Sequence, residues 1–436
     1  MALSFSRRWA ASLAGVVGLL AMTALYLLGP TEVYEAVLLT LGVEPFRFPF
    51  VDISGSLAVW ECVRLGREVI ESDPCDVLQR PYHYGPVWMD LAWIPLRQMD
   101  RPVVGWVLGL AFFLALAALP APGPGRAALV ARVLAVISPV CVFAVERANP
   151  DILLLLIALV VAWLIGGRGL ARWGAYALVW LMAAIKYYPL TIMVLTLRER
   201  PVRFGVITLA SIGGVAVYVA IYAEKMARGL PLIPAGRVDG DMFSARNLPL
   251  NIGLGAWNLV GDAPFGLPAV LLIMGMVAAG LGFGCWRGIR RLNGDATFGG
   301  MLGRMDAWTY ACFLISCATV VGCFFTAQNV SYRAVWLLLA LPGFSAMAAC
   351  DAAIGVTGRR AVWLVVFVLW GEFFRRGIDN VIEGLNAPAL LAWLPAWMFW
   401  LLRELAWWWL IMLMLAVLWR FAWDSPSGRL LRRATG

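Results

Sequence analysis

The chain has 436 residues, of which 62% are hydrophobic and only 14% charged, with a mean hydropathy of +0.81. A soluble domain carries roughly 45–50% apolar and about 25% charged residues, so this composition excludes an ordinary soluble protein and predicts an all-α integral membrane protein. The net charge of +9 calls for no nucleic acid in that setting, because cations flanking membrane spans account for it first.

Crossing about 30 Å of hydrocarbon takes roughly 20 apolar residues. On that criterion the chain predicts about 12 (11–13) transmembrane helices, at 9–29, 102–119, 128–145, 152–166, 174–185, 188–197, 204–223, 266–286, 307–325, 334–350, 361–372 and 404–422. The first follows Arg7 and Arg8 and lacks a small-residue cleavage site, so it reads as a retained signal-anchor. A long polar interruption, 30–100, then separates it from the second span. Within it, Ser54–Glu71 alternates apolar residues with Glu61, Arg64, Arg67 and Glu68, which predicts an amphipathic helix lying on the membrane surface. Trp88–Leu96 is apolar but short, suited to the interface or to the start of the next span. Around Lys186–Pro189 the proline breaks or kinks whatever helix contains it. Two more long loops follow, 224–264 and 373–403, and the Trp-rich stretch 388–402 is predicted to lie in the interface.

Arginines crowd the short loops, at Arg126/Arg132, Arg168/Arg172, Arg198/Arg200/Arg203, Arg287/Arg290/Arg291/Arg304, Arg359/Arg360 and the carboxy-terminal Arg429/Arg432/Arg433. The positive-inside rule puts these loops and both termini in the cytoplasm and the long loops outside. Cys62 and Cys75 share the first outside loop, where a disulfide and two free thiols are both open. The remaining cysteines fall in or beside apolar spans and behave as small hydrophobes. No soluble domain or internal repeat interrupts this single polytopic unit.

Long loops of mixed chemistry carry function more often than short connectors, and the polar clusters all fall on the outside face. Asp52 heads the first loop, placed to act as a general base or, more simply, as a helix N-cap. Pro81-Tyr82-His83-Tyr84-Gly85-Pro86 offers hydrogen-bonding groups for a sugar or phosphate on a proline-stiffened backbone, or an interfacial aromatic anchor. His83 is the only histidine, which argues against a metal site. Glu146-Arg147-Ala148-Asn149-Pro150-Asp151 concentrates ionisable groups at membrane depth, where they pair or serve function. Lys186, one of two lysines, lies between apolar stretches, positioned to hold a phosphate or to snorkel. Arg246-Asn247 and Asn329–Arg333 add amides and guanidinium groups able to read hydroxyls and phosphate. No Walker loop, dinucleotide fingerprint, paired zinc ligands or Ser-His-Asp signature is present.

The order of these elements resembles the GT-C superfamily of polytopic glycosyltransferases, and within it glycosyltransferase family 87 and related mannosyltransferases. There a first membrane helix is followed by a long outside loop with a catalytic Asp and then a Tyr-x-Tyr-x-Pro element, matched here by Asp52 and Tyr82–Pro86. Gly85 stands where the family often has proline, and Glu146–Asn149 replaces a Gly-Gln-x-Asn segment, keeping only Asn149. Lys186 and Pro189 match a Lys-x-x-Pro element, and Asn329–Arg333 matches a late Asn-x-x-Tyr-Arg. The resemblance covers residues 1–205 as a catalytic half and the rest, 206–436, by hydropathy.

The resemblance implies inverting transfer of mannose or another hexose from a polyprenyl-phosphate donor to a lipid or glycan acceptor. The reaction would run at the periplasmic face of a bacterial plasma membrane, without metal or other cofactor. Asp52 would be the base. Tyr82, His83, Tyr84, Asn149 and Asn329 would contact substrate, with Arg147, Lys186, Arg246 and Arg333 as cations. A transporter or flippase of lipid-linked sugars is the competing reading, and a non-enzymatic envelope assembly factor is a third.

Overall fold

The computed structural model describes residues 2–46, 48–82, 84–123, 125–233, 242–260, 263, 265–326, 329–350, 352–385 and 389–435. The chain is an all-α membrane protein, and among the described residues its helices are accompanied by one two-residue antiparallel ladder, Met242–Phe243 with Asn329–Val330. Among the described residues seven helices are long and apolar enough to cross a bilayer, or eight if Ala353–Leu369 and Gly371–Gly384, bent by 56° at Trp370, make one span. Lipid contact explains side chains that no protein core covers. Val202, Leu209, Ile212 and Ile221 are exposed on the Pro201–Gly229 helix, as are Leu267, Leu271 and Leu272 on Gly266–Gly294.

Five expected spans take other forms. Pro150–Ile165 and Leu170–Ile185 have 16 residues each, about 24 Å at 1.5 Å per residue and short of the hydrocarbon thickness. Tyr188–Arg198 is a 3-10 helix of 11 residues, begun by Pro189. The 334–350 segment splits into a 3-10 turn, Ser331–Trp336, and the helix Leu337–Ala348. The 361–372 segment runs across the break between the helices Ala352–Leu369 and Gly371–Gly384. The 388–402 stretch, expected in the interface, instead belongs from Ala389 onward to one helix, Ala389–Asp424, continuous with the expected 404–422 span.

The chain forms two compact units, each discontinuous in sequence. The first comprises residues 1–45, 117–143 and 235–419. Its centre is the packing of Ala307–Thr326 against Leu337–Ala348, and of the latter against Ala352–Leu369. Gly343 permits the first contact, since a Cβ there would meet the Phe313 ring at 2.3 Å.

The second unit comprises residues 46–116, 144–234 and 420–436. It is built around the helix Val51–Arg64, which touches the Pro86–Leu91 and Gln98–Asp100 turns and the Arg101–Ala115 helix. This helix is not the surface-lying element that Ser54–Glu71 predicts. It begins at Val51, ends at Arg64, and buries Val51, Ile53, Leu57, Val59 and Trp60. The cause is local: Arg64 donates to the carbonyls of Ala92, Ile94 and Leu96, and Trp60 stacks on Trp88 with ring centroids 5.0 Å apart. Each indole N–H of that pair donates to a carbonyl across the contact, Trp60 to Trp88 and Trp88 to Ser56. Trp88 is thereby fixed inside the protein, and the next helix begins only at Arg101. Cys62 and Cys75 form a disulfide with Cα atoms 5.7 Å apart, tying the following loop to the helix.

Candidate functional site

The helix carrying Asp52 is started by its neighbours. An α-helix leaves its first N–H groups without intrahelical partners. Here the N–H of Phe50 donates to the Glu146 carbonyl at 2.6 Å and that of Asp52 to the Arg147 carbonyl at 3.0 Å. Phe50 occupies the N-cap position with no side-chain capping bond, so Asp52 is the second residue of the helix and its carboxylate is left free of capping duty. Both contacting strands of backbone are bent into the left-handed region, at Phe50 (φ 65°) and Ala148 (φ 45°). Such conformations cost free energy for residues with a Cβ and gather at functional sites. Gly105 accommodates the first bend, since a Cβ there would lie 2.3 Å from the Phe50 ring.

Asp52 Oδ2 accepts from Asn149 Nδ2 at 2.6 Å. Asn149 is fully buried and its Oδ1 accepts twice, from the Asp151 N–H at 3.0 Å and from Lys186 Nζ at 2.9 Å. Asn149 is also the N-cap of the Pro150–Ile165 helix, so its amide cannot turn without uncapping that helix. Lys186 is 4% exposed, ion-paired to Asp151 and set 4.9 Å from the centroid of the Tyr84 ring. Residues 97 and 134 positions apart in sequence from Asp52 are thus linked to it through two hydrogen bonds. This placement departs from the expected phosphate contact: Lys186 has its charge matched by Asp151 and serves to orient Asn149.

On the other side of Asp52, Arg80 Nη1 lies 3.6 Å from Oδ1. Arg80 is held by Asp76 through Nε at 2.7 Å and by the Val51 carbonyl through Nη2 at 2.7 Å. Gly55 leaves the space, because a Cβ there would sit 2.7 Å from Nη2. Burial works to lower the Arg80 pKa, but the Asp76 bond and the charges of Asp76 and Asp52 outweigh it and hold the guanidinium above its ordinary value. Asp73 braces the same loop by accepting from the Cys75 N–H at 2.9 Å, and burial raises its carboxyl to about 6.

Tyr82 is buried and its hydroxyl donates to the Gly85 carbonyl at 3.3 Å, with burial pushing the phenol well above its ordinary pKa. Gly85 donates its N–H to the Ile185 carbonyl at 3.0 Å and passes so close that a Cβ would lie 1.9 Å from the Ala184 carbonyl oxygen. Arg147 is buried, paired with Glu146 at 3.2 Å and stacked 4.0 Å over the Phe46 ring. His83 lies outside the described residues.

The structure therefore gathers Asp52, Tyr82, Tyr84, Arg147, Asn149 and Lys186 in the second unit, while Arg246, Asn329 and Arg333 belong to the first. There Arg246 is exposed, and the Asn329 Nδ2 donates to the Cys323 carbonyl at 2.6 Å while Arg333 donates to Asn329 Oδ1 at 2.6 Å. Sequence reasoning does not find Arg80, Asp76 or the part played by Asp151. Arg80 stands directly before Pro81, but its pairing with Asp52 depends on the disulfide-tied loop.

Three ion pairs surround Asp52: Lys186 with Asp151, Arg147 with Glu146, and Arg80 with Asp76. Each basic residue has its own acid. Asp52 takes its short hydrogen bond from the neutral Asn149 amide, shares Arg80 with Asp76, and keeps 18% side-chain exposure. A carboxylate so placed can accept a proton from a hydroxyl brought to its open edge. Among the described residues one grouping has metal-ligand spacing, Cys62, Asp73 and Cys75, and its sulfurs are joined as a disulfide, so they offer no thiolate. No protein-family model matches the chain, and neither characterised proteins nor solved structures show a significant similarity to it.

Proposed function

We propose that this protein is a membrane glycosyltransferase of the GT-C type. It moves mannose or another hexose from a polyprenyl-phosphate donor to a lipid or glycan acceptor, with inversion and with Asp52 as general base. In this reading the chain crosses a bacterial plasma membrane with both termini in the cytoplasm and the Asp52 loop in the periplasm. The observation that carries it is the placement of Asp52: a partly exposed carboxylate that shares Arg80 with Asp76 and is aimed by a buried Asn149–Lys186–Asp151 relay. Precise positioning of a base costs folding free energy, and a helix cap would not need it. The lipid phosphate is already a competent leaving group, so the base need only assist attack by the acceptor hydroxyl.

Asp52→Asn tests the assignment, because an amide oxygen can still accept from Asn149 while no longer serving as a base. Transfer of labelled sugar from polyprenyl-phosphate hexose should fall by about 100-fold or more, with unfolding unchanged. Wild-type turnover by the folded variant would refute it. A flippase of lipid-linked sugars, the competing reading, would redistribute the labelled donor across proteoliposomes without consuming it.

A further inference from the structure

With Lys186, Arg147 and Arg80 each matched by an acid, the second unit needs another cation if it is to hold a phosphate. Lys225 is that cation. It is half-buried, its ammonium lies 5.7 Å from the centroid of the Tyr222 ring, and it makes no ion pair among the described residues. Glu224 is adjacent in sequence, and consecutive helix residues do not face each other. Arg228, one turn on, is taken up by Glu68 at 3.3 Å and Glu71 at 3.0 Å.

Lys225 lines a small cleft together with Tyr82, Tyr84 and Tyr187. Tyr84 is shared with the relay, since the Lys186 ammonium sits over its ring. The space within it is about that of a single water, so a bound headgroup would rest at its mouth and a tail would lie outside it. Its depth also fits. Lys225 lies in the last turns of the 32-residue apolar segment Pro201–Leu232, where a helix meets the headgroup layer and long basic side chains reach for it.

We infer that the Tyr82–Tyr84–Tyr187–Lys225 cleft is a seat for a phosphate monoester at the bilayer surface, with Lys225 supplying the charge. The inference rests on the glycosyltransferase reading for the identity of the lipid: the seat takes the phosphate of a polyprenyl-phosphate donor. Its chemistry would also admit free phosphate or an ordinary anionic phospholipid, and the test separates these.

The full-length protein in zwitterionic nanodiscs is titrated with polyprenyl phosphate, with inorganic phosphate and, separately, reconstituted with phosphatidylglycerol. Binding is compared for wild type, Lys225→Gln and Lys225→Arg. Polyprenyl phosphate should bind the wild type, roughly 10- to 100-fold more weakly to Lys225→Gln, the loss of one hydrogen bond to a charged group, and be partly recovered by Lys225→Arg. Inorganic phosphate and phosphatidylglycerol should not compete at matched concentration. Equal binding by wild type and Lys225→Gln overturns the seat. Equal affinity for inorganic phosphate or phosphatidylglycerol overturns its assignment to the donor lipid. Loss of binding in Lys225→Gln together with undiminished transfer by Asp52→Asn would leave the seat standing and remove the general base.

Discussion

Asp52 and Lys186 divide their labour through Asn149, and the division has energetic consequences that a phosphate-gripping lysine would not. Removing one partner of a buried ion pair strands the other charge, at a cost of about 3–5 kcal/mol, whereas replacing both by apolar groups is often tolerated. Lys186→Met should therefore destabilise the protein by about that amount, and adding Asp151→Leu should restore much of the loss. Thermal unfolding of the single and double variants measures this; a Lys186→Met variant as stable as wild type would show that the pair carries no such charge. Asp73 makes a separate, pH-dependent contribution. Its carboxyl is raised by burial from an ordinary 3.8 to about 6, so the folded state binds the proton more tightly than the unfolded state does. The stabilisation is complete below about pH 4 and is lost as pH rises through 6. Asp73→Asn keeps an acceptor for the Cys75 N–H while removing the titration. The difference in unfolding midpoint between the two proteins should change between pH 4 and 6 and stay flat above 7.

The elements that aim Asp52 are held by a few close contacts, and these separate what sequence can show from what it cannot. Asp52, Tyr82, Tyr84, Asn149 and Lys186 are conspicuous as polar residues among apolar ones, so their candidacy is legible. That Asn149 would reach both Asp52 and Lys186 depends on the Glu146 and Arg147 carbonyls starting the Val51–Arg64 helix, a pairing across nearly 100 residues that no local pattern encodes. The burial of this helix is hidden for a related reason. Its charged residues suggest a water-facing side, but Arg64 spends its guanidinium on three carbonyls of the following loop. Gly85, at the position where proline would match the resemblance better, has a physical reason: its N–H is used by Ile185, and a Cβ there would meet the Ala184 carbonyl. Gly85→Pro removes the donor, and Gly85→Ala forces the two segments apart. The disulfide makes the corresponding contribution on the Arg80 side. It closes a sequence separation of 13, and a loop of that order is worth about 3 kcal/mol. Cys62→Ser with Cys75→Ser should lose about that much in chemical denaturation, and reducing agent should lower wild type to the same level while leaving the double variant unchanged.

At the scale of the whole molecule, hydropathy identifies the membrane class and the long spans, because lipid-facing helices must be apolar whatever their tertiary partners. It also marks apolar segments that fold as shorter helices: Pro150–Ile165 and Leu170–Ile185 have 16 residues each, fewer than the roughly 20 that cross the hydrocarbon. Sidedness belongs to neither hydropathy nor packing; it is expected from the distribution of arginines, and it decides which compartment the Asp52 loop faces. Residues 30–100 are expected outside and Arg287–Arg304 inside. Ser72 and Gly294 are both exposed, one in the disulfide-tied loop and the other at the end of the Gly266–Gly294 helix. Single cysteines at these positions can be read against a background in which the six free cysteines, Cys141, Cys285, Cys312, Cys317, Cys323 and Cys350, are replaced and the Cys62–Cys75 bond is kept. In intact cells a membrane-impermeant maleimide should label the Ser72 position and not Gly294, and permeabilised cells should label both. The permeabilised sample matters, since it separates a cytoplasmic residue from one that is sterically blocked. Labelling of Gly294 but not Ser72 in intact cells would invert the molecule, put Asp52 in the cytoplasm, and replace a lipid-linked donor with a nucleotide sugar as the first substrate to try.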